Sequence, residues 1–384
     1  MNFKELASII ELNSHTRNKS GVDENGRIFS AWMADLGFKV EVIARQSIGN
    51  HIKFLSQDVD STAKNNRLLL LGHLDTVFPV NSFTDFRQDD EWIYGPGVCD
   101  MKGGNYVALC ALRRLHAEFG AIRHIDMLLV SDEETGSDDS KYLTAEVAKG
   151  YGACLVFEAA GINHEVVVGR KGVGTFKIYL AGKGAHAGNH YADGCNANLA
   201  AAHMTVALHQ LTDLEQGTTV NVGKINGGIG ANTVSPKAEL LVEVRYTQAA
   251  ERDRVLTELN HLVAHPQVEG VKVRLSGGIQ RDVMQPTAAQ AQLLTRIESI
   301  LGYSLPTEQR GGVSDANIVA SVGVPTLDGF GPFGDGDHTP HERASKASFE
   351  RRIDEVTKIL RHFAFAGPFA SISASPQLQP QTEG

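Results

Sequence analysis

A histidine and an aspartate follow an apolar run near residue 70. The run Leu68–Leu71 leads into the sequence G-H-L-D-T, in which His73 and Asp75 are two residues apart. Side chains at this spacing point to the same face of an extended chain, so the Asp75 carboxylate is placed to orient the His73 imidazole. In an open α/β sheet, ligands gather beyond the carboxyl ends of the strands. The pair therefore indicates a site there, although a single histidine in such a position is more often structural.

Four further acidic residues follow glycine-rich or apolar segments. Asp100 lies in the turn G-P-G-V-C-D-M-K-G-G, just before a predicted helix. Glu133 and Glu134 follow one strand candidate, and Glu158 follows another. Taken singly, the aspartate is an ordinary helix cap and adjacent glutamates are typical of a solvated loop. Their number at strand ends favours a shared site instead.

Carboxylates gathered at one edge of a sheet repel one another. They cannot all stay ionised a few ångströms apart unless cations neutralise them. Imidazole and carboxylate oxygens without thiolate are the donor set of catalytic zinc, with cobalt or manganese as alternatives. His338, in the late loop G-D-G-D-H-T-P-H-E, supplies a second imidazole. The pattern therefore predicts a site for divalent metal.

Apolar runs and helical patterns alternate through the first 170 residues, which predicts an α/β domain. From residue 174 the order becomes strand, helix, strand, strand, helix, strand, which is the split β-α-β-β-α-β unit. We predict that residues 174–284 form a small inserted α+β domain of ferredoxin-like type. It would interrupt a larger domain made of residues 1–173 and 285–366. Residues 367–384, rich in Ser, Pro and Gln, are predicted to be a disordered tail.

Composition bounds the function. The 384 residues are 42% hydrophobic, and the net charge of -9 opposes nucleic-acid binding, because phosphate contacts need clustered Lys and Arg. The four cysteines include no C-x-x-C pair, so we expect free thiols. No apolar run approaches the roughly 18 to 20 residues of a membrane span, and the first residues lead into an amphipathic helix rather than an export signal. We expect a cytoplasmic protein that acts on small molecules and binds no membrane.

Four motifs resemble those of a zinc metallopeptidase family that includes bacterial glutamate carboxypeptidase, acetylornithine deacetylase, succinyl-diaminopimelate desuccinylase and peptidase T. The motifs are G-H-L-D-T, G-P-G-x-x-D-M-K-G-G, D-E-E-x-G-S and H-T-P-H-E, in the family's order, within a match from Phe3 to Phe365. The chain looks most similar to glutamate carboxypeptidase. The resemblance implies a large zinc-peptidase domain, with a mixed sheet flanked by helices, and an inserted lid and dimerisation domain.

The resemblance also implies two zinc ions per subunit. One ion would be held by His73, Asp100 and Glu158. The other would be held by Asp100, Glu134 and His338, so that the Asp100 carboxylate bridges the two ions.

Catalytic roles are implied in the same way. Glu133 would be the general base that takes a proton from water and later protonates the leaving amine. Asp75 would fix the tautomer of His73. His186, in G-K-G-A-H-A-G, would bind the developing oxyanion. In dimeric relatives this histidine and an asparagine, here Asn232, reach the partner's active site, so we expect a homodimer through the inserted domain.

Substrate contacts are implied at two further places. Arg245, in V-E-V-R-Y, resembles the arginine that binds the free carboxylate of the substrate, which a planar guanidinium can hold with two hydrogen bonds. The alternative is an ordinary surface arginine at a strand end. Gly311 and Gly312 belong to a stretch that resembles the family's substrate-pocket loop, where their backbone amides would approach the ligand.

Two positions depart from the family pattern. Glu158 is followed by Ala159, where relatives often have proline. Cys99 stands beside Asp100, where a small or hydroxyl residue is usual, and we expect a buried, inert thiol.

The leading prediction is hydrolysis of an amide bond beside a free carboxylate, which would release a C-terminal amino acid, with glutamate a candidate, from a peptide or N-acyl conjugate. An N-acyl-amino-acid deacylase would use the same metal chemistry. A noncatalytic binding or regulatory protein on the same fold is the alternative from another class, but it would have no need of Glu133.

Overall fold

A computed structural model describes residues 2–57 and 67–366 of the chain. Within them the chain forms two compact units. The larger unit comprises the described residues up to Val168, Pro286–Gln309 and those from Ser314 onward. The smaller unit comprises Gly169–Gln285 and Arg310–Val313. The predicted disordered tail lies outside the described residues.

The bounds of the α-helices, in chain order, are α1 (Lys4–Ile10), α2 (Lys19–Ala34), α3 (Lys102–Phe119), α4 (Ser140–Ala148), α5 (Ala197–His209), α6 (Ala249–Ala264), α7 (Ala288–Leu301), α8 (Asp315–Ser321) and α9 (Lys346–Ala366). The strands are β1 (Lys39–Ile43), β2 (His51–Leu55), β3 (Leu68–His73), β4 (Arg87–Gln88), β5 (Trp92–Tyr94), β6 (Ile125–Val130), β7 (Ala153–Val156), β8 (Val166–Arg170), β9 (Gly172–Ala181), β10 (Thr219–Gly227), β11 (Lys237–Tyr246), β12 (Lys272–Arg281), β13 (Thr307–Arg310), β14 (Thr326–Leu327), β15 (Gly334–Asp335) and β16 (Arg343–Ser345). In the part of the chain that is described, no helix combines the length and the apolar character needed to cross a bilayer.

The larger unit is built on a mixed sheet with the described strand order β1-β2-β6-β3-β7-β14. Strands β6, β3, β7 and β14 run parallel, whereas β1 and β2 join antiparallel. Helices α3, α7, α8 and α9 pack against these strands. The leucine run of β3 is fully buried, as expected of a central strand in a helix-covered sheet. The predicted α/β architecture is confirmed.

The parallel strands end at one edge of this sheet. His73, the last residue of β3, is paired with Val130, the last residue of β6. β7 ends at Val156, which pairs with β3 two residues before His73. The acidic segments that follow the three strands therefore leave the sheet together, as the sequence predicts.

A second, smaller sheet in the larger unit has the order β15-β16-β5-β4. Two loops start from it. The glycine-rich turn after β5 carries Asp100, and the connection from β15 to β16 carries His338. Because β16 pairs antiparallel with β5, with Arg343 opposite Tyr94, the start of the Asp100 turn lies beside the end of the His338 connection.

The smaller unit has the element order β9-α5-β10-β11-α6-β12, the predicted split unit. Its antiparallel sheet has the order β10-β11-β9-β12, and α5 and α6 pack against it around a separate apolar core. The N-terminus of α5 is capped by Asn196, whose side chain accepts the backbone N–H groups of Asn198 and Leu199. Strand β10 lies at one edge of the sheet.

Candidate active site

His73 is buried at the end of β3, and both of its ring nitrogens have defined neighbours. Nδ1 lies 3.0 Å from the backbone oxygen of Asp75 and 3.3 Å from Oδ1 of its carboxylate. Both neighbours are acceptors, so Nδ1 carries a proton, and Nε2 is the nitrogen that can bind a cation. Nε2 lies 3.1 Å from Oδ1 of Asp100 and 3.8 Å from Oε1 of Glu158. The expected orientation of His73 is present, with the backbone carbonyl of Asp75 as the nearer acceptor.

The Asp75 carboxylate also accepts hydrogen bonds that its spacing from His73 did not predict. It accepts the hydroxyl of Thr16 at 2.6 Å and the backbone N–H groups of Glu133 and Glu134 at 3.3 and 3.2 Å. These two glutamates open a short 3₁₀ turn directly after β6. Asp75 therefore fixes the turn that carries the predicted base as well as the imidazole.

Asp100 lies between the two imidazoles. Its Oδ1 is 3.1 Å from Nε2 of His73, and its Oδ2 is 3.2 Å from Nε2 of His338. The same His338 nitrogen lies 3.2 Å from Oε2 of Glu134. His338 has a φ of 61°, a left-handed conformation that is uncommon outside glycine and recurs at functional sites. With Glu158 beside His73, the structure brings together all five residues predicted as metal ligands.

Burial and mutual repulsion strongly perturb the ionisation of this cluster. Burial, followed by the charge of Asp100, raises the pKa of Glu134 to about 8 and moves the pKa of Glu158 well above its usual range. Burial also opposes ionisation of Asp100, but its hydrogen bonds to His338 and His73 hold its pKa below the usual range. Hydrogen bonds to Asp100 and Glu134 raise the pKa of His338 to about 11. The carboxylates can thus ionise together only with positive charge between them.

The residues fit divalent metal. His73, Asp100 and Glu134 each offer one ligand atom, and these atoms lie within 4.8 Å of one another. Oε1 of Glu134 is buried and accepts no hydrogen bond from the described residues. A buried carboxylate oxygen without a donor needs a cation or water to compensate it. Oxygen and imidazole donors without thiolate are those that catalytic zinc uses.

The predicted departures from the family pattern do not disturb this arrangement. Glu158 remains within reach of His73 although Ala159 follows it. Cys99 is fully buried, and burial, with the charge of Asp337, raises the pKa of its thiol well above the usual value. A buried thiol of this kind is a poor nucleophile, in agreement with the prediction.

In the smaller unit, His186 and Asn232 lie on adjoining segments. The backbone N–H of Ala187 donates to the carbonyl of Asn232 at 2.9 Å, and His186 forms a β-bridge with Thr233. Nδ1 of His186 accepts the backbone N–H groups of Gly188 and Asn189 at 3.2 and 3.1 Å. Since these groups can only donate, the proton of the neutral imidazole is on Nε2. His186 is thereby held in the tautomer that can donate to an oxyanion.

Arg245 lies on β11 and contacts the predicted pocket loop. Its Nη1 donates to the carbonyl of Gly311 at 3.0 Å, and its Nε pairs with Glu243 at 2.8 Å. The carbonyl of Gly312 accepts a hydrogen bond from Arg170 at 3.1 Å. The loop therefore groups with the smaller unit, although in the sequence it follows the return to the larger domain. A backbone carbonyl acceptor could not be foreseen from residue types.

Comparison with known proteins identifies the family. The model of peptidase family M20/M25/M40 matches residues 69–363, which include the clustered acidic and imidazole side chains. The chain belongs to this family. It is a metal-dependent metallopeptidase or amidohydrolase, and its family therefore favours an enzyme over the noncatalytic alternative.

Relatives include proteins of both predicted branches. Carboxypeptidase G2 of Pseudomonas sp. strain RS-16 is 27% identical over 93% of this chain and 88% of its own length. The acetylornithine deacetylase of Yersinia pseudotuberculosis serotype O:1b is 27% identical over 73% of this chain and 72% of its own length.

Solved structures share the fold. Aminopeptidase PepT of Bacillus cereus superposes with a TM-score of 0.78 at 20% identity, covering 94% of this chain and 97% of that one. A dinuclear metal-binding peptidase of Bacillus subtilis superposes with a TM-score of 0.65 at 14% identity, covering 94% of this chain and 97% of that one. At these identities the likeness shows the fold.

Proposed function

We propose that this protein is a di-zinc carboxypeptidase that cleaves an amide bond beside a free carboxylate. It would release a C-terminal amino acid, with glutamate the first candidate, from a peptide or an N-acyl conjugate. The proposal rests on the position of the Asp100 carboxylate. Its Oδ1 faces Nε2 of His73, and its Oδ2 faces Nε2 of His338. The dinuclear metal-binding peptidase that shares the fold supports a count of two.

His73, Asp100 and Glu158 would hold one ion, and Asp100, Glu134 and His338 the other. Bound divalent metal supplies polarisation of the scissile carbonyl and makes water acidic enough to act as a nucleophile near neutral pH. The protein's own residues organise the rest.

Proton transfer is assigned to Glu133. Its carboxylate would take the proton that the attacking water releases and deliver it to the nitrogen of the leaving amine. Asp75 holds the backbone N–H of Glu133 and so keeps the base in position. We assign stabilisation of the developing oxyanion to Nε2–H of His186, the tautomer that its backbone contacts impose.

Substrate selection is assigned to Arg245, with Asn232, Gly311 and Gly312 as further contacts. The Arg245 guanidinium is already oriented by Glu243 and by the Gly311 carbonyl. A guanidinium fixed in this way loses little further freedom when it binds a carboxylate. Likeness to carboxypeptidase G2 over most of both chains supports this branch.

Replacement of Arg245 by alanine is expected to raise KM for a substrate with a free carboxylate by about 10- to 100-fold, the size of a lost charge-assisted hydrogen bond. The matching carboxamide substrate should show almost no change. Arg274→Ala, which removes an arginine stacked on Tyr179 in the same sheet, is the control and should leave both KM values unaltered. Equal KM changes for the two substrates in Arg245→Ala would show that the anchor lies elsewhere.

An N-acyl-amino-acid deacylase is the second candidate, supported by the likeness to acetylornithine deacetylase. A panel of zinc-loaded assays separates the two. N-blocked dipeptides that end in glutamate test the carboxypeptidase, and N-acetyl amino acids, including N-acetylornithine, test the deacylase. Preferred turnover of the dipeptides supports the proposal, whereas turnover of the N-acetyl compounds alone would replace it.

We also propose a homodimer through the smaller unit. Leu199 and Val206 on α5 are 44% and 60% exposed, and Ile225 on the neighbouring edge strand β10 is 54% exposed. An exposed apolar surface beside a free sheet edge is typical of an association site.

In sedimentation experiments we expect a species of twice the 41.4 kDa chain mass. The double variant Leu199→Glu/Val206→Glu should be a monomer, because it would place charges in the interface. Leu214→Glu alters a side chain that is 76% exposed and lies on neither α5 nor β10, and it should leave the dimer intact. A monomeric wild-type protein would contradict the assembly.

A further inference from the structure

Glu342 is a buried carboxylate to which neither the motifs nor the proposed reaction gives a role. It is fully buried, and its two oxygens accept three backbone N–H groups of the turn that carries Asp100. Oε2 accepts the N–H of Gly97 at 3.0 Å. Oε1 accepts the N–H groups of Cys99 and Asp100 at 2.9 and 3.1 Å. One side chain thus binds both arms of the turn, the first at Gly97 and the second at Cys99 and Asp100.

The small sheet explains how Glu342 reaches this turn. Glu342 directly precedes β16, and its backbone carbonyl accepts the N–H of Gly95, the residue after β5, at 3.3 Å. This contact continues the pairing of Arg343 with Tyr94. Strand pairing in the small sheet therefore places the Glu342 carboxylate beside the turn, and this placement does not depend on bound metal.

The two ligand-bearing loops also pack closely on each other. A Cβ atom on Gly334, in β15, would lie 2.1 Å from the carbonyl oxygen of Arg343 and 2.6 Å from Sγ of Cys99. Gly97 has a φ of 81°, a left-handed conformation that favours glycine. The turn before Asp100 has little room to shift without moving the strand that leads to His338.

A carboxylate is needed at position 342 because all three partners are donors. Glutamine has the same shape, but its single oxygen could accept from only one arm of the turn. Its amide NH₂ would then face either the N–H of Gly97 or those of Cys99 and Asp100. Two donors facing each other in a buried site leave a hydrogen-bond partner unsatisfied, at a cost of about 1–3 kcal/mol. The turn would have to move, and Asp100 would move with it.

We infer that Glu342 is a positioning residue for metal: it fixes the backbone of the Asp100 turn against the His338 loop, so that the bridging carboxylate meets both imidazoles. The inference rests on the proposed metal site and assigns Glu342 no contact with substrate or metal. Such supporting contacts around metal ligands are typically worth about 10- to 100-fold in metal affinity.

The test uses the full chain, stripped of metal with a chelator and titrated with Co²⁺. Chelator competition gives the affinity, and the visible spectrum of bound Co²⁺ reports the coordination geometry. We expect Glu342→Gln to bind Co²⁺ about 10- to 100-fold more weakly than wild type, with an altered spectrum. Glu342→Asp keeps an acceptor-only group on a shorter side chain, so its loss should be smaller. If the glutamine variant does not fold, Glu342→Asp provides the measurement.

Glu355→Gln is the matched control, since Glu355 is only 3% exposed and is held by Arg351, Arg352 and Tyr303. This variant should lower the melting temperature and leave the Co²⁺ affinity and spectrum unchanged. The inference would be overturned, and the proposed function left standing, by either of two results. One is wild-type Co²⁺ affinity and spectrum in both Glu342 variants. The other is an equal loss of Co²⁺ affinity in Glu342→Gln and Glu355→Gln. A wild-type protein that takes up no Co²⁺ would overturn the proposed function with it.

Discussion

The Glu133→Gln variant is expected to bind metal like the wild type and to lose kcat by about 10²- to 10⁴-fold, the range of general acid–base catalysis. Glutamine preserves the shape of the side chain and leaves the backbone N–H of Glu133 bonded to Asp75. It cannot take a proton from water. The five proposed ligands are untouched, so metal content should stay the same. Steady-state kinetics with metal analysis of the same sample measure both quantities.

Asp138→Asn is the control for this prediction. Asp138 lies five residues along the same segment, its side chain is 83% exposed, and it pairs with Lys141 at 3.0 Å. Its kinetics should match the wild type. Near-normal turnover in Glu133→Gln would remove Glu133 from the reaction, and lost metal would give it a structural role instead.

The Asp100→Asn variant should lose both metal and activity. The two oxygens of the Asp100 carboxylate face His73 and His338, one oxygen to each imidazole. Asparagine keeps the size but removes the negative charge and replaces one oxygen with an amide nitrogen that cannot bind a cation. Several kcal/mol of metal-dependent stabilisation should disappear, which corresponds to at least about 10³-fold in kcat. Elemental analysis after dialysis against a weak chelator gives the metal content.

Asp126→Asn separates metal loss from general damage. Asp126 is 1% exposed and accepts hydrogen bonds from Arg67, Ser56 and Tyr151 at the start of β6, the opposite end of that strand from the site. Its replacement should destabilise the fold without changing the metal content of the folded protein. Full metal content and activity in Asp100→Asn would contradict the bridging role.

The sequence was informative where the function depends on strand ends. The apolar runs before His73, Glu133 and Glu158 are parallel neighbouring strands, and their ends had to meet once the sheet formed. His338 was placed by its motif alone, because it stands in the connection of a small sheet whose strands have only two or three residues. Such short strands carry too few residues for a periodic signal.

Local sequence patterns were uninformative where tertiary contacts outweigh the helix propensity of a residue or supply its hydrogen-bond partners. Helix α2 extends from Lys19 to Ala34 although two glycines, Gly21 and Gly26, lie within it. The glycine at position 21 argues against a helix, yet a Cβ atom there would lie 1.8 Å from the carbonyl oxygen of Asn13, so the close approach requires glycine. Glu342 was visible as the last letter of a motif, but its partners are backbone N–H groups more than 240 residues away. No residue pattern predicts that a carboxylate will accept hydrogen bonds from such distant backbone N–H groups.

The proposed reaction requires two cations that share the Asp100 carboxylate, and anomalous diffraction from crystals of the zinc-loaded protein tests this directly. We expect two zinc peaks, one beside His73 and Glu158 and the other beside Glu134 and His338, with an oxygen of Asp100 on each. A single peak, or peaks that Asp100 does not contact, would contradict it.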